Sequence, residues 1–141
     1  MAQSIKLEVR YNYPVMEVWQ AITDKNAVSE WLMPCNIEPV VGYEFQFKTK
    51  PYPGFNGIVD CKVLAVEEGH FLSYSWSGGT VQNTTVSFKL KPDGDNGTLL
   101  QFEHSGFEGF FNNLIVRRIL LNGWRSKILT KLLPKYLKEH E

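Results

Sequence analysis

His104 closes the run "TLLQFEH", in which Thr98, Leu100, Phe102 and His104 alternate with outward residues. An imidazole on an apolar face can move a proton near neutral pH; kept neutral, it offers one hydrogen-bond donor and one acceptor. It therefore reads either as a hydrogen-bonded core histidine or as a polar anchor in a cavity. Tyr74, in "FLSYSWS", could assist as an acid, and Arg125, in "NGWRSKILTKL", could clamp a carboxylate or phosphate. Arg125 has a plainer reading, a stem laid over apolar surface with its head in water. Cys61 reads as a small apolar filler rather than a reactive thiol. Other parts of a catalytic site are missing. Glu8, Glu44, Asp60 and Glu103 all alternate outward, and there is no Ser-His-Asp order and no phosphate-binding glycine loop. His70 falls in a turn and His140 in the tail, so spacing assembles no metal site. No catalytic residue, metal or cofactor is expected.

The elements that must position these side chains show in the hydrophobic period. "IKLEVRYNY" alternates strictly, with Ile5, Leu7, Val9, Tyr11 and Tyr13 on one face, which predicts a half-buried strand. Pro14 opens a short helix carrying Val15, Val18, Trp19 and Ile22. Asp24 can cap a second one that ends at Trp31, before Pro34. From residue 42 the period is two. The inward sets are Tyr43, Phe45 and Phe47; then Val59, Cys61, Val63 and Ala65; then Leu72, Tyr74 and Trp76. Thr84, Val86, Phe88 and Leu90 follow, and after them the His104 run. "PGFNG", "EEGH", "SGG" and "PDGDNG" supply the turns. The rest, from about Asn112, is a long helix. Such a sheet has one apolar face, and only the last helix is large enough to cover it. The fold class is α+β: a curved antiparallel six-stranded sheet wrapped around a long C-terminal helix, with two short helices between strands 1 and 2.

The chain has 141 residues and reads as one domain, 1–141, without repeats or linkers. Fifteen basic and fifteen acidic residues cancel, and no block of like charge stands out, which argues against nucleic acid and a polybasic membrane contact. "MAQSIKLEVRYNY" has no apolar run to act as a signal or anchor, and no stretch is apolar enough for membrane insertion. Cys35 and Cys61 read as free thiols. A cytoplasmic protein is expected; its oligomeric state is open.

The order of these elements, with its landmarks, resembles the helix-grip domains of the START-like (SRPBCC) superfamily. Within it, the chain is most similar to homologues of the heat-shock-protein-90 ATPase activator. The matching pieces are "YPVMEVWQAITDKNAVSEWLMP", "GYEFQF", "GIVDCKVLAVEEGHFLSYSW", "TLLQFEHSGF" and "NGWRSKILTKL". The true co-chaperones carry an additional chaperone-binding domain, for which this chain has no room. Pro134 also falls inside a final helix that the family usually continues. The resemblance implies a cavity between sheet and helix, used across the superfamily for lipids, sterols, polyketides and other apolar molecules.

At about 100° per residue, Leu121, Trp124, Ile128 and Leu132 form one helix stripe, flanked by Leu129 and Tyr136, and Arg125 falls between Leu121 and Ile128. Gly123 lies off that stripe and costs the helix about 1 kcal/mol relative to alanine. Because a Gly-Trp pair recurs in the resembled family, close approach of neighbouring backbone is the preferred reading of Gly123, with a tolerated exposed glycine as the alternative. Pro134 predicts a kink or early end of the helix near residues 130 to 134. The expected function is a non-catalytic module holding a small hydrophobic molecule, lipid-like or polyketide-like. Its candidate ligand-binding residues are Trp31, Tyr43, Phe45, Cys61, Tyr74, Trp76, Phe88, His104, Leu121, Trp124, Arg125 and Ile128. Two other functions stay open: a chaperone-regulating or stress-response interaction module, and a cyclase- or hydrolase-type enzyme using His104 in the same cavity.

Overall fold

The first strand, β1 (Gln3–Tyr11), ends three residues before Pro14, whose fixed φ sets up α1 (Val15–Thr23). Asp24 then accepts a hydrogen bond from the Ala27 N–H at 2.9 Å and starts α2 (Lys25–Trp31). Both caps are where the sequence places them. The computed structural model describes residues 3–51, 53, 55–109 and 115–140. The expected helix start near Asn112 lies outside them.

Five strands follow: β2 (Glu44–Lys48), β3 (Ile58–Glu67), β4 (Phe71–Gly78), β5 (Val81–Pro92) and β6 (Thr98–Phe107). With β1 they form one curved antiparallel sheet in the order β1-β6-β5-β4-β3-β2. The period-two pattern sets the inward face as expected. Phe45, Phe47, Val59, Cys61, Val63, Leu72, Tyr74, Trp76, Val86, Phe88, Leu90, Leu100, Phe102 and His104 are all buried. The pairing shifts between Val63 and Ala65, and beyond that bulge Ala65 is only half-buried. Tyr43, Leu7 and Val9 are also half-buried. Edge-to-face rings fill the sheet's concave side, among them Phe45–Tyr74 at 5.2 Å and Phe88–Phe102 at 5.2 Å. Trp31 packs from the helix side and donates its indole N–H to the Ala21 carbonyl at 2.7 Å.

The covering helix has three parts: α3 (Arg117–Gly123), a π-helical stretch (Trp124–Leu132), and α4 (Leu133–Glu139). In the middle part N–H groups reach five residues back rather than four, as Leu133 N–H does to the Ile128 carbonyl. This changes which face is inside. The fully covered residues are Trp124, Leu129, Leu133 and Leu137, spaced by five, four and four. The stripe expected from α-helical winding is corrected accordingly. Trp124 is inside, but Leu121, Ile128 and Leu132 are half-buried flanks, Leu129 takes the central place, and Arg125 points to solvent. Gly123 is corrected as well: a Cβ there would meet nothing within 4 Å, so no neighbour requires its absence. The early end expected near residues 130 to 134 is not found: the winding returns to α at Leu133, with Pro134 in the first turn, and the helix continues to Glu139.

Candidate ligand cavity and its buried polar pair

At one end of the sheet the concave side is not filled. A cavity of about 510 Å³ opens there between sheet and helix. Val59 of β3, Trp76 and Gly78 of β4 and Val81 of β5 form the sheet wall. Met33, Thr49, Pro53 and Phe55 close the loop side, with Gly79 and Thr80 of the β4–β5 turn. Ile115, Val116, Ile119 and Leu120 form the helix side. The wall is mostly apolar, as a pocket for a small hydrophobic molecule must be. α3 has no fully buried residue; Ile115 and Ile119 are 43% and 63% exposed over the opening. Gly57 shapes the loop side. It has φ +85°, and a Cβ would lie 2.4 Å from the Thr49 carbonyl oxygen, so only glycine fits without a shift.

Of the sequence candidates, Trp76 lines this cavity. Phe45, Cys61, Tyr74 and Phe88 belong to the packed aromatic floor further along the sheet, and Trp31 to the α1–α2 side. Tyr43, Leu121 and Ile128 are half-buried, and Arg125 is exposed. Burial pushes the Cys61 thiol and the Tyr74 phenol up, so both stay protonated. The sequence reading missed Ile115, Val116, Ile119 and Leu120. Their i, i+1, i+4, i+5 spacing was a usable signal, one turn upstream of the stripe that was read.

Behind Trp76 lies the polar centre of the core. His104 is fully buried, with its ring centroid 5.5 Å from Trp76, 4.6 Å from Phe107 and 6.4 Å from Trp124. Its Nε2 lies 2.9 Å from Thr84 Oγ1, and that hydroxyl donates its one proton to the Trp76 carbonyl at 2.7 Å. Thr84 can therefore only accept from His104, which fixes the proton on Nε2 and leaves Nδ1 as a bare acceptor. Burial lowers the His104 pKa to about 3, so the ring is neutral at physiological pH. Nδ1 of His104 and Nε1 of Trp124 are buried and have no hydrogen-bond partner among the described residues. Among those residues no Lys, Arg, Asp or Glu is buried, and no group of three or more His, Cys, Asp or Glu could hold a metal ion. No helix among them is long and apolar enough to cross a membrane.

An antiparallel sheet gripping one long helix, with a cavity between them, defines a START-like helix-grip protein. The family model described as Activator of Hsp90 ATPase homolog 1-like protein matches residues 12–136, and the chain belongs to that family. The architecture is the cavity-forming one typical of hydrophobic-ligand-binding or chaperone-interacting modules. Among solved structures, a Mesorhizobium loti protein is 28% identical over 99% of each chain, with a TM-score of 0.84. A Bacillus halodurans protein is 25% identical over 96% of each chain, with a TM-score of 0.79. An Hsp90 activator from Plasmodium falciparum shares the fold at 19% identity and a TM-score of 0.72, over 89% of this chain and 90% of that one. Among curated proteins none matches the sequence.

Proposed function

We propose that the protein is a non-catalytic binder of a small apolar molecule, held in the cavity between the β4–β5 end of the sheet and α3. The observation that carries this is the apolar wall of a 510 Å³ space, closed on its helix side by a segment with no fully buried residue. A helix that buries none of its own apolar side chains fully in the protein has them available for a guest. The interior supports binding over catalysis, because the one histidine in it is neutral and no buried carboxylate faces it among the described residues.

The test is a titration with the neutral fluorophore N-phenylnaphthylamine. The expected result is saturable binding of one probe per chain, lost in Leu120→Trp, where the larger side chain fills the space while the melting temperature is kept. Unsaturable binding, or equal affinity in Leu120→Trp, would overturn the reading. A second reading, contact with a chaperone, rests on Ile119 of α3 and Ile115 just before it, both exposed at the cavity. Its measurement is stimulation of an Hsp90 ATPase by the purified chain, and no stimulation would remove it.

A further inference from the structure

The chain's charges cancel in total, but the fold sorts them around the cavity. Its walls come from residues 48–59, from residues 76–85 around the β4–β5 turn, and from the start of the helix that runs on through residue 138. Those three segments, with the helix taken from 115 to 138, hold nine of the fifteen basic residues and none of the fifteen acidic ones. Lys48 and Lys50 flank Thr49 on the loop side, and Arg118 precedes Ile119 on the helix side; all three cations are exposed. Farther along the helix Arg125, Lys127, Lys131, Lys135 and Lys138 are exposed too. Among the described residues none of these eight is ion-paired with an acid. A face that only keeps a protein in solution mixes both signs and gains from pairs of opposite charge. Here Lys131 and Lys135 stand four residues apart, with Lys138 three further on, and like charges at that spacing repel.

We propose that the rim of the cavity docks on an anionic lipid bilayer, with Ile115 and Ile119 entering the head-group layer and Lys48, Lys50 and Arg118 meeting its charges. The two isoleucines decide between partners of negative charge. They are 43% and 63% exposed at the opening, on the same helix start that carries Arg118. Apolar side chains beside cations fit a surface that offers acyl chains beneath anionic head groups. A nucleic acid would meet the cations with its phosphates and leave both isoleucines in water. The contact is peripheral, since no helix among the described residues is long and apolar enough to cross a membrane. Docking needs no guest in the cavity, so this surface goes beyond the binding reading and is tested without one.

The test is co-sedimentation of the ligand-free chain with vesicles of phosphatidylcholine alone, and with vesicles in which about a third is phosphatidylglycerol. Binding is expected to the anionic vesicles and not to the neutral ones, with release as salt shortens the reach of the charges. Lys48→Gln with Lys50→Gln should weaken it about 25-fold, and Arg118→Gln about fivefold, at roughly fivefold for each cation near the surface. Ile119→Ser should weaken it as well. Lys89→Gln with Lys91→Gln, exposed on β5 away from the cavity, should bind like the wild type. All these positions are exposed, and an unchanged melting temperature shows that each variant folds. Three results overturn the proposal: no binding to anionic vesicles, equal binding to neutral ones, or equal loss in the two double variants. A fourth is Ile119→Ser without effect on vesicles while a double-stranded oligonucleotide binds as tightly as they do, which marks a surface for polyanions at large. In each of these outcomes saturable uptake of the fluorophore, measured without vesicles, still decides the cavity reading separately.

Discussion

His104 shows how one hydroxyl sets the chemistry of an interior. Thr84 gives its only proton to the Trp76 carbonyl, so the imidazole must donate to Thr84 and is held as the Nε2–H tautomer. The side chains around it are Thr84, Trp76, Phe107 and Trp124, none of which carries a charge. Protonating the ring would place an unpaired cation in the core, which is why its pKa falls to about 3 from an ordinary 6.5. Between those values the unfolded chain binds the extra proton and the folded one does not. Stability is therefore full above pH 6.5 and is lost as pH falls toward about 3. The slope contributed by this one group approaches about 1.4 kcal/mol per pH unit. Urea unfolding at a series of pH values should show it, and His104→Leu should flatten the profile over this window. Parallel profiles for the two proteins would place the acid sensitivity elsewhere.

At the scale of the element, the C-terminal helix is wound by its partners as much as by its own sequence. Leu133 sends its N–H to Ile128, and Pro134 has none to send, so the Leu129 carbonyl is left by both helical donors that would reach it. The Tyr11 phenol takes their place at 2.6 Å, kept protonated because burial raises its pKa. Tyr11→Phe should cost about 1–3 kcal/mol, the penalty for an unpaired buried carbonyl. In a Pro134→Ala background, where residue 134 regains an N–H for that carbonyl, the same change should cost less. A double-mutant cycle in urea with no coupling would show the two to be independent. Gly123 poses the opposite case, since nothing near it requires a missing side chain and its φ is an ordinary helical −62°. Gly123→Ala should raise stability by about 1 kcal/mol, read as a higher urea midpoint; a lower one would show that the change of winding at this residue needs glycine. The sequence shows the helix and Trp124's inward place, but not the π winding. Four-residue spacing is the default for an isolated helix, and here the carbonyl left open by the changed spacing is met by a phenol more than a hundred residues away.

For the whole molecule, the strands were legible because each is a run of period two between turns rich in Gly, Asn and Asp, and the one apolar face leaves a single way to bury them. Two features of the site were not. The Thr84–His104 bond depends on register, which sets Val86 opposite His104 and Thr84 opposite Trp76, and alternation alone gives faces but no register. The cavity's position depends on where ring packing stops short of the sheet's end, which no single segment encodes. That same topology has a kinetic side. β1 pairs only with β6, so that Ile5 lies across from His104, whereas every other neighbouring pair of strands is consecutive in the chain. The meander β2–β6 can therefore zip up through short hairpins, while β1 must wait for nearly all the chain to be made and then close the longest loop in the sheet. Tyr11 travels with it. Until β1 docks, the Leu129 carbonyl lacks its phenol donor, so the helix gains that bond only once the first strand has found the last.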